Sequence, residues 1–271
     1  MSTSLSEPRA RPVLARAMRL RGASAGIWPA LSILGGLLLW QLVSLGFSDF
    51  ILPPPTAVLQ RLGDPAYLAE LGAALALSLG TMVAGFAVAF AVAVPLGTVM
   101  GRSPRLAAAV EPVLTAFYAI PPVALVPFVV IWFGLFVEGR IALIFLMCFP
   151  DILVVTLAGA RDISPRLIAV GRSFGASPVQ MLRRVLLPAS LPFLFAALRV
   201  GLARAITGMI TAELFLAAAA LGGMMKTSAE AFDNAGVFVI VVLVCLLGLA
   251  VQSGVRRLER RMLHWHMEDN R

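Results

Sequence analysis

Long apolar runs separated by short polar segments dominate the chain. A helix rises about 1.5 Å per residue and the hydrocarbon core of a bilayer is about 30 Å thick, so about 20 apolar residues are enough to cross it. Four runs reach that length without a charged residue: Ile27–Phe47, Leu71–Gly101, Pro112–Val137 and Ala235–Val255. The pattern predicts a transmembrane helix in each of them.

Two further apolar runs are interrupted by charge. The run Ile141–Ala160 contains Asp151, and the run Leu191–Leu216 contains three charged residues, Arg199, Arg204 and Glu213. Charge inside a membrane is costly, so we expect these side chains to face protein or water rather than lipid. With both runs included, the chain is predicted to be an all-α integral membrane protein of about six transmembrane helices, with five as the alternative.

The composition supports lipid as the main solvent of the chain. Hydrophobic residues make up 60% of its 271 residues and charged residues only 13%, about half the share that is usual in soluble domains. The net charge of +8 would suggest nucleic acid in a soluble protein, but the basic residues lie in short clusters between the apolar runs. Such clusters are signals of topology and contacts to lipid headgroups, so no nucleic-acid partner is predicted.

The basic residues are divided unequally between the two sides of the predicted bundle. Of the Lys and Arg outside the spans, 17 fall on one side and three, Arg61, Arg140 and Lys226, on the other. The positive-inside rule places the richer side in the cytoplasm. The chain then consists of a basic cytoplasmic tail (1–26), a first helix (27–47), a periplasmic connector (48–70), a core transmembrane domain (71–255) and a cytoplasmic tail (256–271). We expect a multi-pass protein of the bacterial inner membrane, with both termini in the cytoplasm.

The connector and the longest cytoplasmic loop contain shorter elements. In the connector, the three prolines of 53–55 favour an extended turn, and a short amphipathic helix is predicted over Ala57–Leu62. The loop over 161–190 alternates arginines with apolar residues, which predicts two short amphipathic helices. Gly175 can end the first helix, Ser177 can cap the second, and Pro178 suits its first position.

The second helix of the loop is predicted over Pro178–Leu187, with Pro188 and Pro192 ending it before the next span. Val179, Leu182 and Leu186 would lie on one of its faces. A short helix that is basic on one side and apolar on the other is either an interfacial anchor or a docking element for a cytoplasmic partner.

The spacing of this loop resembles a known family. Gly175, nine residues and then Val185-Leu186-Leu187-Pro188 are similar to the signature E-A-A-x3-G-x9-I-x-L-P of binding-protein-dependent importer permeases. Further segments resemble the sulfonate, taurine and nitrate branch of that family: Glu111-Pro112, the stretch from Ile120 to Pro127, Trp132-Phe133-Gly134-Leu135, Ala212-Glu213 and the tail from Leu258 to Arg261. The resemblance covers about Ile51 to Trp265 and departs at Ala169-Val170-Gly171, where the family has Glu-Ala-Ala.

The resemblance implies a fold, partners and a coupling site. It implies the type I ABC importer permease fold, two ABC ATPase subunits, a second permease copy in a homodimer and a periplasmic substrate-binding protein. It assigns the contact with the ATPase to six residues of the loop: Gly175, Ala176, Ser177, Val185, Leu187 and Pro188. Any salt bridge that the family's glutamate makes to the ATPase does not carry over to Ala169.

The chain is not expected to bind ATP itself. A phosphate-cradling loop needs the form G-x4-G-K-[ST], but the single lysine, Lys226, follows Met225. ATP and Mg are therefore expected on the separate ATPase, and this chain is predicted to be a transport subunit rather than an enzyme. His264 and His266 have no third ligand nearby in the sequence, so no metal site is predicted.

Four charged residues in or beside the spans are the remaining candidates for function. Glu111 and Arg199 lie at similar depths from the cytoplasmic side and are predicted to form a structural ion pair. Arg204 lies deeper, where a cation facing the translocation path would favour an anionic solute. Glu213 lies nearer the outer mouth, where it either caps or gates the outer loop over 217–234 or contacts the solute.

Two alternative functions remain at this stage. A secondary transporter driven by an ion gradient would show an inverted repeat with broken helices, and no such repeat is visible in the sequence. A membrane scaffold without transport is the second alternative. The family branch suggests a small, anionic solute such as a sulfonate, taurine, nitrate or a related organic compound, including pyrimidine vitamin precursors.

Overall fold

Helices form all the regular structure of the described residues, which in this computed structural model are 27–216 and 220–263. The longer helices are α1 (Ile27–Ser44), α2 (Pro55–Arg61), α3 (Pro65–Arg102), α4 (Pro104–Ala119), α5 (Val126–Phe133), α6 (Val137–Asp162), α7 (Pro165–Ser173), α8 (Leu187–Leu216), α9 (Ala220–Glu230) and α10 (Asn234–Met262). A 3₁₀ turn at Pro122–Leu125 precedes α5. The predicted tail at 1–26, the end of the second tail with His264 and His266, and residues 217–219 lie outside the described ranges.

Four helices of the described part are long and apolar enough to cross a membrane: α3, α6, α10 and the helix Arg183–Leu216 that includes α8. Helix α4 and the segment Pro122–Phe133 make a fifth span if they are counted together, but the two helices are bent by 96° relative to each other. A shorter apolar helix, Ala30–Ser44, lies within α1. The uninterrupted helix predicted over Pro112–Val137 is therefore wrong. Pro121 and Pro122 lack backbone N–H donors, and a proline disfavours the helical conformation of the residue before it.

The core is built around α6, which packs between α3 and α8. Its buried face contains Leu143, Ile144, Cys148, Ile152 and Leu153, all without exposed surface. Small residues on the neighbouring helices allow this close approach. A Cβ atom on Gly97 of α3 would lie 2.9 Å from the carbonyl oxygen of Leu153, and a Cβ atom on Gly201 of α8 would lie 2.7 Å from Ile152.

The first helix lies at the edge of this core. Trp40 of α1 packs against Phe238 of α10, with 5.5 Å between the ring centroids. Most other large apolar side chains of α1, such as Trp28, Leu34 and Leu42, are exposed in the single chain. A helix that is apolar on its exposed faces suits a lipid environment.

The loop after α7 leads into one long helical segment. A helical turn at Pro178–Gln180 continues through a π-helical stretch, Met181–Leu186, directly into α8. The prediction that Pro188 and Pro192 end a separate helix is therefore wrong. Pro188 is the second residue of α8 and directly follows the π-helical turn, where the change of hydrogen-bond register accommodates its missing N–H donor.

At the opposite end, a polar network ties α2 to α10. The Nε atom of Arg61 donates to Oδ2 of Asp233 at 2.9 Å, and its Nη1 atom donates to Oδ2 of Asp64 at 3.1 Å. Its guanidinium also lies 4.3 Å from the ring centroid of Tyr67. Partial burial opposes the charge of Arg61, but the hydrogen bond and the negative charge of Asp233, with a smaller contribution from Asp64, outweigh it and raise the pKa of Arg61.

Candidate functional site

An interrupted helix creates an irregular backbone segment inside an apolar region. α4 ends at Ala119, Ile120 is extended, and the chain resumes in the 3₁₀ turn at Pro122. Ile120, Pro121 and Pro122 are exposed in the single chain. Non-helical backbone at membrane depth is tolerated only where protein covers it or where it lines a water-filled cavity.

An ion pair lies beside this break. The Nε atom of Arg204 on α8 is 2.7 Å from Oδ2 of Asp151 on α6, and the hydroxyl of Tyr118 at the end of α4 donates to Oδ1 of Asp151 at 3.0 Å. The side chain of Asp151 is 17% exposed, whereas that of Arg204 is 52% exposed. Arg204 is therefore paired with α6, while about half of its side chain remains exposed in the single chain.

Counting along the helices places this ion pair near the middle of the bundle. Asp151 is about 21 Å from the start of α6 at Val137 and about 17 Å from its end at Asp162, at 1.5 Å per residue. Arg204 is about 18 Å from the end of α8 at Leu216. Ionisable groups at such depth usually mark a solute or ion pathway in membrane proteins.

Two cavities meet at the break. The first has a volume of about 240 Å³ and is lined by Tyr118, Asp151, Arg204 and neighbouring apolar residues. The second has a volume of about 540 Å³ and is lined only by apolar side chains, including Phe128, Trp132 and Phe145. Four residues line both cavities: Phe117, Ile120, Leu125 and Leu146.

A second ion pair lies on the same face, towards the loop over 161–190. The Nη2 atom of Arg161 donates to Oε1 of Glu111 at 2.6 Å, and both residues line a third cavity of about 300 Å³ that reaches Tyr118. The predicted pair of Glu111 with Arg199 is therefore wrong. Arg199 instead pairs with Glu259 of α10, because its side chain leaves α8 on the side that packs against α10.

Glu213 does not line any of these cavities. It is fully buried, and its Oε2 atom accepts hydrogen bonds from the hydroxyl of Ser78 and the N–H group of Gly222, both at 2.9 Å. The hydroxyl of Ser78 in turn accepts from the N–H group of Leu221 at 3.1 Å. Glu213 therefore caps the first turn of α9, which lies within the segment predicted as an outer loop. Of its two predicted roles, the contacts match the cap rather than contact with solute.

The turn at Gly175 has the geometry that the sequence predicts. Gly175 has φ +70; its N–H group donates to the carbonyl of Arg172 at 2.9 Å, and that of Ala176 donates to Gly171 at 3.1 Å. These two bonds form a Schellman motif, which ends α7.

The start of the next helix is capped reciprocally. The N–H group of Gln180 donates to the hydroxyl of Ser177 at 3.3 Å, and the N–H group of Ser177 donates to Oε1 of Gln180 at 2.9 Å. This arrangement is a capping box. The pattern Ser-x-x-Gln is readable in the sequence, so the prediction could have included Gln180.

The loop presents an apolar surface around this turn. Phe174 is 85% exposed, and Val179 and Leu187 are also exposed. Val185 and Pro188 are half-buried, as is Ala176, whereas Gly175 and Ser177 are exposed. The six predicted coupling residues are thus divided between the turn itself and the half-buried helix that follows it.

The sequence did not reveal the partners of the charged residues beside the helix break. It pointed to Arg204 but to neither Asp151 nor Tyr118 as its neighbours, and it did not pair Glu111 with Arg161. One usable signal was the single acidic residue in Ile141–Ala160, since a lone buried carboxylate needs a partner from another span. The Pro121-Pro122 pair within an otherwise uninterrupted apolar run was a second signal.

Comparison with known proteins agrees with this architecture. Residues 93–264 match the family described as binding-protein-dependent transport system inner membrane component. The taurine transport system permease protein TauC of Escherichia coli is 32% identical over 84% of this chain and 86% of its own length. The riboflavin transport system permease protein RibX of Chloroflexus aurantiacus is 33% identical over 94% of this chain and 97% of its own length.

A solved structure has the same fold. A chain of the MetNI methionine ABC transporter, in an inward-facing conformation, superposes with a TM-score of 0.64 at 20% identity, over 73% of this chain and 99% of that chain. The family match covers more than half of the chain, and the two relatives are each more than 30% identical over more than four fifths of it. The chain therefore belongs to the inner-membrane components of binding-protein-dependent transport systems, and it is a permease subunit of an ABC importer rather than an enzyme.

Proposed function

We propose that solute crosses the membrane along the face of α4, α6 and α8 that carries the helix break and the Asp151–Arg204 pair, and that a second copy of the chain completes this path. The exposed break at Ile120–Pro122 is the observation that carries the proposal. Irregular backbone at this depth needs protein or water beside it rather than lipid. A homodimer with this face at its centre supplies both.

The charges along this face suit the passage of a small organic anion. Asp151 and Arg161 are ten residues apart on α6, which corresponds to about 15 Å along the helix. Their partners, Arg204 and Glu111, lie on the neighbouring helices α8 and α4. A solute that leaves Arg204 in the direction of the cytoplasm next meets Arg161. Relatives named for taurine and riboflavin transport support an organic solute.

The energy for transport is proposed to come from two separate ATPase subunits that bind ATP and Mg. The turn at Gly175 and the exposed side chains of Phe174 and Val179 offer these subunits a preorganised apolar surface on a basic loop. A periplasmic binding protein would deliver the solute at the opposite end, beside the Arg61–Asp233 network. In this arrangement both termini and the loop over 161–190 face the cytoplasm.

Uptake by reconstituted transporter tests the path. A ligand screen of the periplasmic binding protein that serves this permease identifies the cargo, and ATP-driven uptake of that cargo into proteoliposomes is then measured. Arg204→Gln is expected to lower uptake at least tenfold, because hydrogen bonds to charged groups are worth about 1.5–3 kcal/mol. Arg105→Gln, which removes an exposed arginine at the start of α4, is the matched control and should leave uptake unchanged.

Two further variants separate folding from transport and test the orientation. The double variant Asp151→Asn with Arg204→Gln removes both charges, so it avoids an unpaired carboxylate and should assemble normally but transport poorly. Normal uptake in the assembled double variant would refute the proposed path.

A cysteine at Ser177 should react only with membrane-permeant reagents in intact cells, and labelling from the periplasm would refute the orientation.

A further inference from the structure

We infer that the two cavities at the helix break form one solute site with a cationic end and an apolar end, so that it takes an organic monoanion with an apolar body rather than an inorganic anion. The inference rests on the proposed function, since it names the class of solute that the same path accepts. Three observations carry it: the shared walls of the two cavities, the exposure of Arg204 and the lining of the apolar cavity.

The two cavities adjoin each other, because they share part of their walls. Phe117, Ile120, Leu125 and Leu146 line both. Arg204 and Asp151 line only the first cavity, whereas Trp132 and Phe133 line only the second. A molecule whose charged group reaches Arg204 can therefore extend past Ile120 into the apolar cavity.

The polar end favours a negative group over a positive one. Both oxygens of Asp151 are already engaged, Oδ1 by the hydroxyl of Tyr118 and Oδ2 by Nε of Arg204. The contact of the ion pair is made by Nε of Arg204, 2.7 Å from Oδ2 of Asp151, and the side chain of Arg204 is 52% exposed. The terminal amino groups of a guanidinium match two oxygens of a carboxylate or sulfonate.

The apolar end makes an inorganic anion a poor ligand. Its walls contain five aromatic side chains, Phe117, Phe128, Trp132, Phe133 and Phe145. A bare anion gains nothing from this surface, whereas each buried methylene group of an organic solute adds affinity. A phospholipid does not satisfy both ends, because its phosphate lies about 15 Å or more from the bilayer centre, while Arg204 and Asp151 lie near mid-depth.

Fluorescence of Trp132 reports directly on occupancy of the apolar end. The full-length chain contains four tryptophans, and replacing Trp28, Trp40 and Trp265 by Phe leaves Trp132 as the only one. This variant, checked for uptake and reconstituted in nanodiscs, is titrated with nitrate, methanesulfonate, propanesulfonate and hexanesulfonate. We expect affinity to rise about fourfold for each added methylene group, while nitrate leaves the emission of Trp132 unchanged.

Cavity-filling and charge variants test the two ends separately. Ala142 lines the apolar cavity, so Ala142→Leu should abolish the dependence on chain length, while Ala91→Leu at an exposed position of α3 should preserve it. The double variant Asp151→Asn with Arg204→Gln should weaken hexanesulfonate binding at least tenfold.

Equal affinity along the sulfonate series would overturn the inference and would assign the apolar cavity to lipid or to the second copy. Equal effects of Ala142→Leu and Ala91→Leu would do the same, because chain length would then report partition into the bilayer. If the series is flat while uptake of the cargo still depends on Arg204, only this inference fails. If uptake does not depend on Arg204, the proposed path itself fails.

Discussion

Replacement of Gly175 by alanine should weaken docking of the ATPase without disturbing the membrane domain. Gly175 has φ +70, and a Cβ atom added there would meet nothing within 4 Å. The substitution therefore introduces no clash, and its effect is purely conformational. An L-residue in the left-handed region is disfavoured by about 1–2 kcal/mol, whereas glycine adopts it freely.

This penalty converts directly into an expected loss of affinity. If the ATPase binds only the turn as it stands, the fraction of loops in the competent conformation falls by a factor of up to about 5 to 30, and the apparent Kd rises by the same factor. Asparagine tolerates the left-handed region better than alanine, so Gly175→Asn should raise the Kd by less than Gly175→Ala. A Kd that rises in the order glycine, asparagine, alanine would show that the effect comes from the backbone conformation at residue 175.

The assay is titration of the purified ATPase onto nanodisc-embedded permease, followed by biolayer interferometry, with ATP hydrolysis measured in parallel. Gly248→Ala is the matched control, because Gly248 lies in α10 with a free Cβ direction and no positive φ. It should leave the Kd unchanged. If Gly175→Ala binds the ATPase as tightly as Gly248→Ala does, the turn is not part of the docking surface, and the loop is an interfacial anchor.

Three further predictions address the proposed path and the packing of the bundle. Asp151→Asn removes the ion pair of Arg204 and should tighten hexanesulfonate binding about fivefold, because a partly exposed ion pair is worth about 1 kcal/mol. Weaker binding would mean that Asp151 is needed to position Arg204. Glu213→Ala removes two buried hydrogen bonds and should lower the free energy of unfolding, measured by steric trapping, by about 2–4 kcal/mol. Glu213→Gln keeps an acceptor oxygen and should lower the free energy of unfolding by less than half as much. Equal losses for the two variants would show that the charge of Glu213, rather than its hydrogen bonds, stabilises the fold. Gly97→Ala should destabilise the protein by about 1–3 kcal/mol, because its Cβ atom would lie 2.9 Å from the backbone of α6. Gly80→Ala, whose Cβ atom would meet nothing within 4 Å, should leave the stability unchanged. Equal stability of the two variants would contradict the close packing of α3 on α6.

The apolar runs of the sequence predict the spanning helices well, because hydrophobic length is a one-dimensional property that bilayer thickness fixes. Helices α3, α6, α8 and α10 overlap the predicted runs, although α3 starts at Pro65 rather than at Leu71. The break at Ile120 escaped the prediction, since Pro121 and Pro122 are apolar by composition. Only their missing N–H groups distinguish them from a continuing span.

Which charged residues pair between helices was harder to predict from the sequence. Depth along a span can be counted, and on depth alone Glu111 and Arg199 were reasonable partners. Which face of each helix a side chain occupies depends on packing, and packing directs Arg199 towards Glu259 and Glu111 towards Arg161. Local motifs fared better, because the turn at Gly175 and the cap at Ser177 depend only on neighbouring residues.

The length of α3 makes the transporter sensitive to the thickness of its membrane. Its uncharged stretch, Leu71–Gly101, has 31 residues and is about 46 Å long at 1.5 Å per residue, whereas the hydrocarbon core is about 30 Å thick. A straight helix of this length would span the core at an inclination of about 50°, and a kink at Pro95 or a thicker bilayer would reduce that inclination. Because α6 packs along α3, a change in this inclination also turns the helix that carries Asp151. Lipids with longer acyl chains would therefore bring α3 and α6 closer to the membrane normal and change the angle at which α6 presents Asp151 to Arg204 of α8.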